Sequence, residues 1–239
     1  MTPNECNNLD KLFEAWRDHD LPKGWVIPCE NKERFYPDGF VKQNEFGGKK
    51  ILFILIEPHV ECKKKMKPPQ TCEECQHDWF ANCILGGKIE EMSFKLGRPY
   101  FDKTLKMKQT IDGIDNGEND FASLREVAFM NVNKTGGGGN SSKRRILEDY
   151  VNHYRPFIQR EIELINPEII VCCGLVLKGL LKNILDSYVE NNDDRKIRVV
   201  YMLHPARIGV DKYKRIFQKL WESDCDTAGY FLLKTADKT

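Results

Sequence analysis

The sequence predicts an α/β fold: a three-layer α/β/α sandwich around a central, mainly parallel four-stranded sheet, with a cysteine-rich insertion. Three observations predict it. Four short apolar runs, at 51–56, 127–130, 168–174 and 197–203, are bounded by polar or turn residues, as strands buried on both faces are. Stretches of helical periodicity separate the later runs, and such alternation gives parallel strands with helices on both sides of the sheet. A length of 239 residues with 41% hydrophobic side chains is enough to bury one sizeable core.

The elements follow in order. Residues 8–18 carry Leu9, Leu12, Phe13 and Trp16 at helical spacing and predict an amphipathic helix. Residues 19–48 are rich in Pro, Gly and aromatics and read as an irregular arm. Residues 1–48 are thus a helix and arm packed on an α/β unit of 49–239, the whole forming a single domain. Ile51 to Ile56 is the first strand. An insertion, 61–96, then holds Cys62, Cys72, Cys75, His77 and Cys83. Residues 97–126 read as loop and short helix, with turn chemistry at Asp112-Gly113 and Asn116-Gly117. Val127 to Met130 is the second strand. Ile146 to Leu164 is helical, with a kink or restart at Arg155-Pro156 and a stop at Asn166-Pro167. Glu168 to Gly174 is the third strand, Leu175 to Leu185 a short helix, Ile197 to Leu203 the fourth strand, and Lys212 to Trp221 a last helix.

Charge and composition exclude several classes. The net charge is +1, from 37 basic and 36 acidic side chains, so any polyanion-binding face must come from local clustering. The apolar runs are far too short to span a bilayer, and Met1 to Glu5 has no signal-peptide character. A cytoplasmic protein without a membrane partner is expected. Nine cysteines then read as free thiols or a metal site rather than a disulfide framework. Cys72-Glu73-Glu74-Cys75 can bring two thiolates to one ion, with Cys62 and Cys83, or His77 and His59, completing a structural zinc site. Unligated thiols are the alternative. No cofactor is expected for catalysis.

Three strands end in polar residues: Glu57-Pro58-His59, Asn131 and His204-Pro205. Open α/β sheets bind ligands at the carboxyl ends of their strands, so these can converge on one crevice. Four glycines, 136–139, followed by Ser141-Ser142 and a helix start make either a phosphate cradle or a flexible loop.

The order of these motifs resembles the uracil-DNA glycosylase superfamily. Gly97-Arg98-Pro99-Tyr100-Phe101, Asn131-Val132-Asn133-Lys134 and the passage from Ile162 to Gly174 resemble its thermostable-type members, over roughly 49–221. The resemblance implies DNA as partner, a monomer, and hydrolysis of the bond between sugar and a flipped-out pyrimidine. It makes Glu57 the residue that positions water and stabilises the sugar cation, and His204 the donor to the O2 of the leaving base. Pro58, His59 and Asn131 would hold the base. Lys134, Gly137, Gly138 and Ser141 would hold phosphates, and Arg207 and Ile208 would fill the gap left by the base. Departures sharpen the expectation. His59 replaces a tyrosine that blocks groups at pyrimidine C5, Ala206 replaces a serine, and the iron–sulfur cysteine pattern is missing. A bulky modified base of phage DNA is therefore a candidate substrate beside uracil. The alternatives are an inactive nucleic-acid-binding module of the same fold and a zinc-stapled interaction protein.

Overall fold

The computed structural model describes residues 1–22, 35–46, 48–56, 79–90, 92, 98–114, 119–134, 144–205 and 208–223. The chain is mixed α/β, with a five-stranded, mostly parallel sheet. The strands are β1 (Gly39–Phe40), β2 (Ile51–Leu55), β3 (Val127–Asn131), β4 (Ile169–Cys173) and β5 (Arg198–Met202), in the order β1-β3-β2-β4-β5. β2 to β5 are parallel, and β1 pairs antiparallel to β3 at the edge. The expected four-stranded sheet is corrected to five because the arm contributes β1. Two residues carry no periodicity, so only docking beside β3 makes them a strand.

The described helices are α1 (Leu9–Arg17), α2 (Trp79–Leu85), α3 (Arg98–Asp112), α4 (Arg144–His153), α5 (Arg155–Ile165), α6 (Val176–Glu190) and α7 (Val210–Glu222). α1 starts where Asn8 accepts from the Lys11 backbone N–H at 2.9 Å, a side-chain N-cap. The chain restarts at Arg155-Pro156, where proline fits the first turn of a helix and forbids continuing the one before. α3 corrects the expected loop and short helix. Its apolar residues Phe101, Leu105 and Ile111 are interleaved with Lys103 and Lys108, which are also buried and mask the stripe. α6 runs five residues past its expected end.

Every residue of β2, β3 and β4 is buried, and alternate residues serve two cores. Leu52, Ile54, Met130 and Ile170 join α1, α4, α5 and α6 on one face. Phe53, Phe129, Val171 and Met202 join α2, α3 and α7 on the other. Within the insertion, α2 stacks Phe80 on Phe129 with centroids 4.2 Å apart, so this part of it buries apolar surface. No helix among the described residues is long and apolar enough to cross a membrane.

Candidate functional site at the carboxyl edge of the sheet

The chain leaves β2 toward β3 on one side and returns to β4 on the other, so β2 and β4 are neighbours whose outgoing connections diverge. Such a switch point opens a crevice beyond the strand ends. The register makes those ends flush: Leu55 lies opposite Asn131, and Cys173 opposite Met202. Gly174 closes β4 with φ +156°, and a Cβ there would stand 3.2 Å from Ile56 Cδ1. Only glycine keeps the two central strands at this separation without displacing Ile56. From β3 to β5 is three inter-strand steps, about 14 Å.

His204 follows β5 and is half-buried. Its turn is held by α3 and α7. Tyr213 Oη donates to the Leu203 carbonyl at 2.8 Å, and Lys103 Nζ donates to the Pro205 carbonyl. Tyr100 Oη lies 3.4 Å from His204 Nε2, with the two rings edge-to-face at 5.5 Å. Backbone on either side of the imidazole is therefore pinned, and the ring is oriented by a phenol. Burial pulls the Lys103 ammonium below its ordinary range, against the attraction of Asp102. Ile208 is half-buried and packs against the core that α3 and α7 share.

At the other end, Asn131 closes β3 and is buried. Asp38 Oδ2 accepts from both its backbone N–H and its Nδ2, the latter at 3.1 Å. Asp38 Oδ1 accepts from Lys134 Nζ, which also reaches Glu161 Oε1 at 2.7 Å. The ammonium lies 5.2 Å from the Phe13 ring centroid and 5.5 Å from that of Trp16. Lys134 and Glu161 are both 0% exposed, so this is a charge cluster inside the core. Two carboxylates and one ammonium cannot all stay ionised at low cost in such a place. Burial raises the Glu161 carboxyl well above its ordinary range, Lys134 opposing and Asp38 adding to the rise. Burial alone would lower Lys134, but the two carboxylates outweigh it and hold the amine above its ordinary range. Burial thus favours the neutral form of Glu161, while Lys134 keeps its charge. Asn131 Oδ1 and Glu161 Oε2 are buried without a hydrogen-bond partner among the described residues.

The structure thus brings Asn131 and His204 to one edge of one sheet. It does not bring Lys134 to a phosphate-binding surface. That expectation is corrected, because the ammonium points into the core and both its partners are carboxylates. Cys83 lies on α2, buried in the core that holds Phe80. Glu57, Pro58, His59, Cys62, Cys72, Cys75, Gly137, Gly138, Ser141 and Arg207 lie outside the described residues. Among the described residues, no group of three His, Cys, Asp or Glu side chains is arranged to hold a metal.

Sequence reasoning missed Asp38, Glu161, Tyr100, Lys103 and Tyr213 as builders of this edge. Glu161 carried a signal, since it occupies an apolar-face position of α5 beside Ile158, Ile162 and Ile165. Asp38 carried none, because Pro37-Asp38-Gly39 reads as an ordinary turn. No protein-family model matches the chain, nor does any curated protein or solved structure.

Proposed function

We propose that this protein is a DNA glycosylase of the uracil-DNA glycosylase type, built as a three-layer α/β/α sandwich. One observation carries the reading. Asn131 and His204 flank, on one edge of a parallel sheet, the β2 end after which the chain continues directly into Glu57. A pyrimidine flipped into this crevice would meet the Asn131 amide on one side and the His204 imidazole on the other. The C1′–N1 bond breaks with its electron pair leaving on the base, so negative charge develops at O2. A His204 N–H donated to that oxygen stabilises the transition state more than the ground state. Glu57 orients a water and stabilises the cationic sugar. Water's hydroxyl goes to C1′ and its proton ends on the freed base, leaving an abasic site.

DNA is the partner and substrate of a cytoplasmic monomer. With Lys134 sequestered, phosphate contacts fall to Gly137, Gly138 and Ser141, and Arg207 and Ile208 would fill the gap left by the base. Uracil and bulky modified pyrimidines of phage DNA are the substrate candidates, the latter favoured by His59. The structural zinc would draw on Cys62, Cys72, Cys75 and Cys83; metal analysis of the purified protein finding no zinc would remove it.

Base release tests the proposal. DNA containing uracil, unmodified DNA and phage DNA with modified pyrimidines are incubated with the protein, and freed bases are identified by mass. His204→Ala is expected to slow release by about 100-fold or more, as losing an oxyanion donor does elsewhere, with thermal stability retained. Glu57→Gln should do likewise. Release equal to wild type in both variants would sink the mechanism. DNA binding with no release from any substrate would leave a nucleic-acid-binding module.

A further inference from the structure

The Asn131 amide holds an acceptor, Oδ1, buried and without a partner among the described residues, while its Nδ2 is committed to Asp38. A buried unpaired acceptor is costly and persists where something supplies a donor. The same amide keeps its second N–H, so it presents one donor and one acceptor.

Which way round they stand is set by Asp38. If the amide turned over, Oδ1 would face Asp38 Oδ2, oxygen against oxygen, and lose the bond from Nδ2. Asp38 cannot turn away to relieve this. Its Oδ2 also accepts the Asn131 backbone N–H, and its Oδ1 holds Lys134. Lys134 is fixed in turn by Glu161, and by a bond between its own backbone N–H and Tyr150 Oη at 3.1 Å. The backbone after Asp38 is held as well, because Gly39 and Phe40 pair with Phe129 and Ala128 of β3.

Pyrimidines differ at this edge. A 4-keto base such as uracil presents an acceptor at O4 beside a donor at N3. A 4-amino base such as cytosine presents a donor at N4 beside an acceptor at N3. One amide orientation matches the first pair and the reversed orientation matches the second. We propose that Asp38, braced by Lys134 and Glu161, is a positioning residue that locks the Asn131 amide in one orientation and so makes it discriminate 4-keto from 4-amino pyrimidines. This rests on the reading of the carboxyl edge as a base pocket.

The test uses free bases, so it does not depend on catalysis. 1-Methyluracil and 1-methylcytosine are titrated into ¹⁵N-labelled full-length protein, following the Asn131 side-chain NH₂ signal, identified by its loss in Asn131→Asp. Wild type is expected to bind one of the two at least about tenfold more tightly, the scale of one bidentate base contact. One proton of its NH₂ pair should be shifted downfield and protected from exchange. Asp38→Asn replaces the carboxylate with a group able to donate as well as accept. It should abolish that protection and bring the two affinities within about twofold of each other. An unchanged ratio in Asp38→Asn, or equal affinity or no binding of either probe by wild type, overturns the proposal. Should Asp38→Asn fail to fold, wild type alone decides: an NH₂ pair that exchanges freely overturns it. Probe selectivity in a protein that releases no base would instead count against the glycosylase reading and leave this one standing.

Discussion

Two lysines are buried at the two ends of the same sheet edge, and they are stabilised in opposite ways. Lys134, beneath Asn131, is ringed by Asp38 and Glu161 and by the faces of Phe13 and Trp16. Lys103, behind His204, has the Pro205 carbonyl and the Tyr213 ring, with centroid 5.4 Å away. The first amine is held above its ordinary range and the second below it. Bonded carboxylates outweigh burial at one end, whereas burial outweighs the attraction of Asp102 at the other. The β3 end is therefore a rigid ionic lock, and the β5 end a turn tied through its backbone carbonyls beside a half-buried imidazole. A base-reading group profits from the first arrangement, since its orientation carries the information. A group that must meet charge developing during reaction profits from the second, since its turn is held on both sides.

The contrast can be broken most strongly at Lys134. Lys134→Met leaves the buried Asp38 and Glu161 side chains without the ammonium that bonds both, and is expected to cost about 3–5 kcal/mol in urea unfolding at neutral pH. Lys103→Met removes a poorly neutralised ammonium together with one hydrogen bond, and should cost no more than about 1 kcal/mol. Equal losses would mean that the two ends are built alike. Alkaline titration separates the lysines further. Lys134 stabilises the fold below about 10.5, and that contribution is lost as pH rises through its elevated folded value. Lys103 opposes folding while charged, so its penalty fades as pH climbs from its depressed folded value toward 10.5. Wild type should accordingly gain on Lys103→Met, and not on Lys134→Met, as pH is raised from neutrality toward 10.

A smaller effect is expected at Tyr213. Tyr213→Phe deletes the bond to the Leu203 carbonyl and leaves that buried oxygen unpaired, for about 1 kcal/mol in thermal or urea unfolding. If the turn positions His204, base release should fall by more than the stability loss accounts for. A release rate unchanged from wild type would confine Tyr213 to packing.

The smallest change sharpens the protonation state. Glu161→Gln is close to isosteric with a protonated Glu161, and it should cost less than about 1 kcal/mol at pH 7. Because the folded carboxyl is raised, its contribution is complete below about 4.5 and is lost as pH rises toward the folded value. Glu161→Gln does not suffer that loss. Its stability relative to wild type should therefore improve from pH 4 to 8, measured by unfolding across that range. A relative decline would mean that Glu161 is ionised in the fold.

Much of this architecture was legible in the chain. The runs at 51–56, 127–130, 168–174 and 197–203 are β2 to β5, because a strand buried on both faces must be continuously apolar. The polar residues that end them, Asn131 and His204, share an edge because parallel strands all point one way. Leu9, Leu12, Phe13 and Trp16 announce α1 for the same reason of periodicity. The sequence did not reveal β1, whose two residues pair only because β3 offers an open edge. Nor did it reveal the length of α3, where Lys103 and Lys108 interrupt the apolar stripe. The resemblance assigns Lys134 to phosphate, whereas its ammonium is buried between two carboxyl groups. Asp38 lies 96 residues from it and Glu161 27, and no local pattern reports such partners. Periodicity is a property of neighbours in the chain, so the sequence by itself determined the strands, most helices and the polar strand ends. The pairing of buried charges depends on which distant segments share a low-dielectric space, and only the tertiary structure decided that.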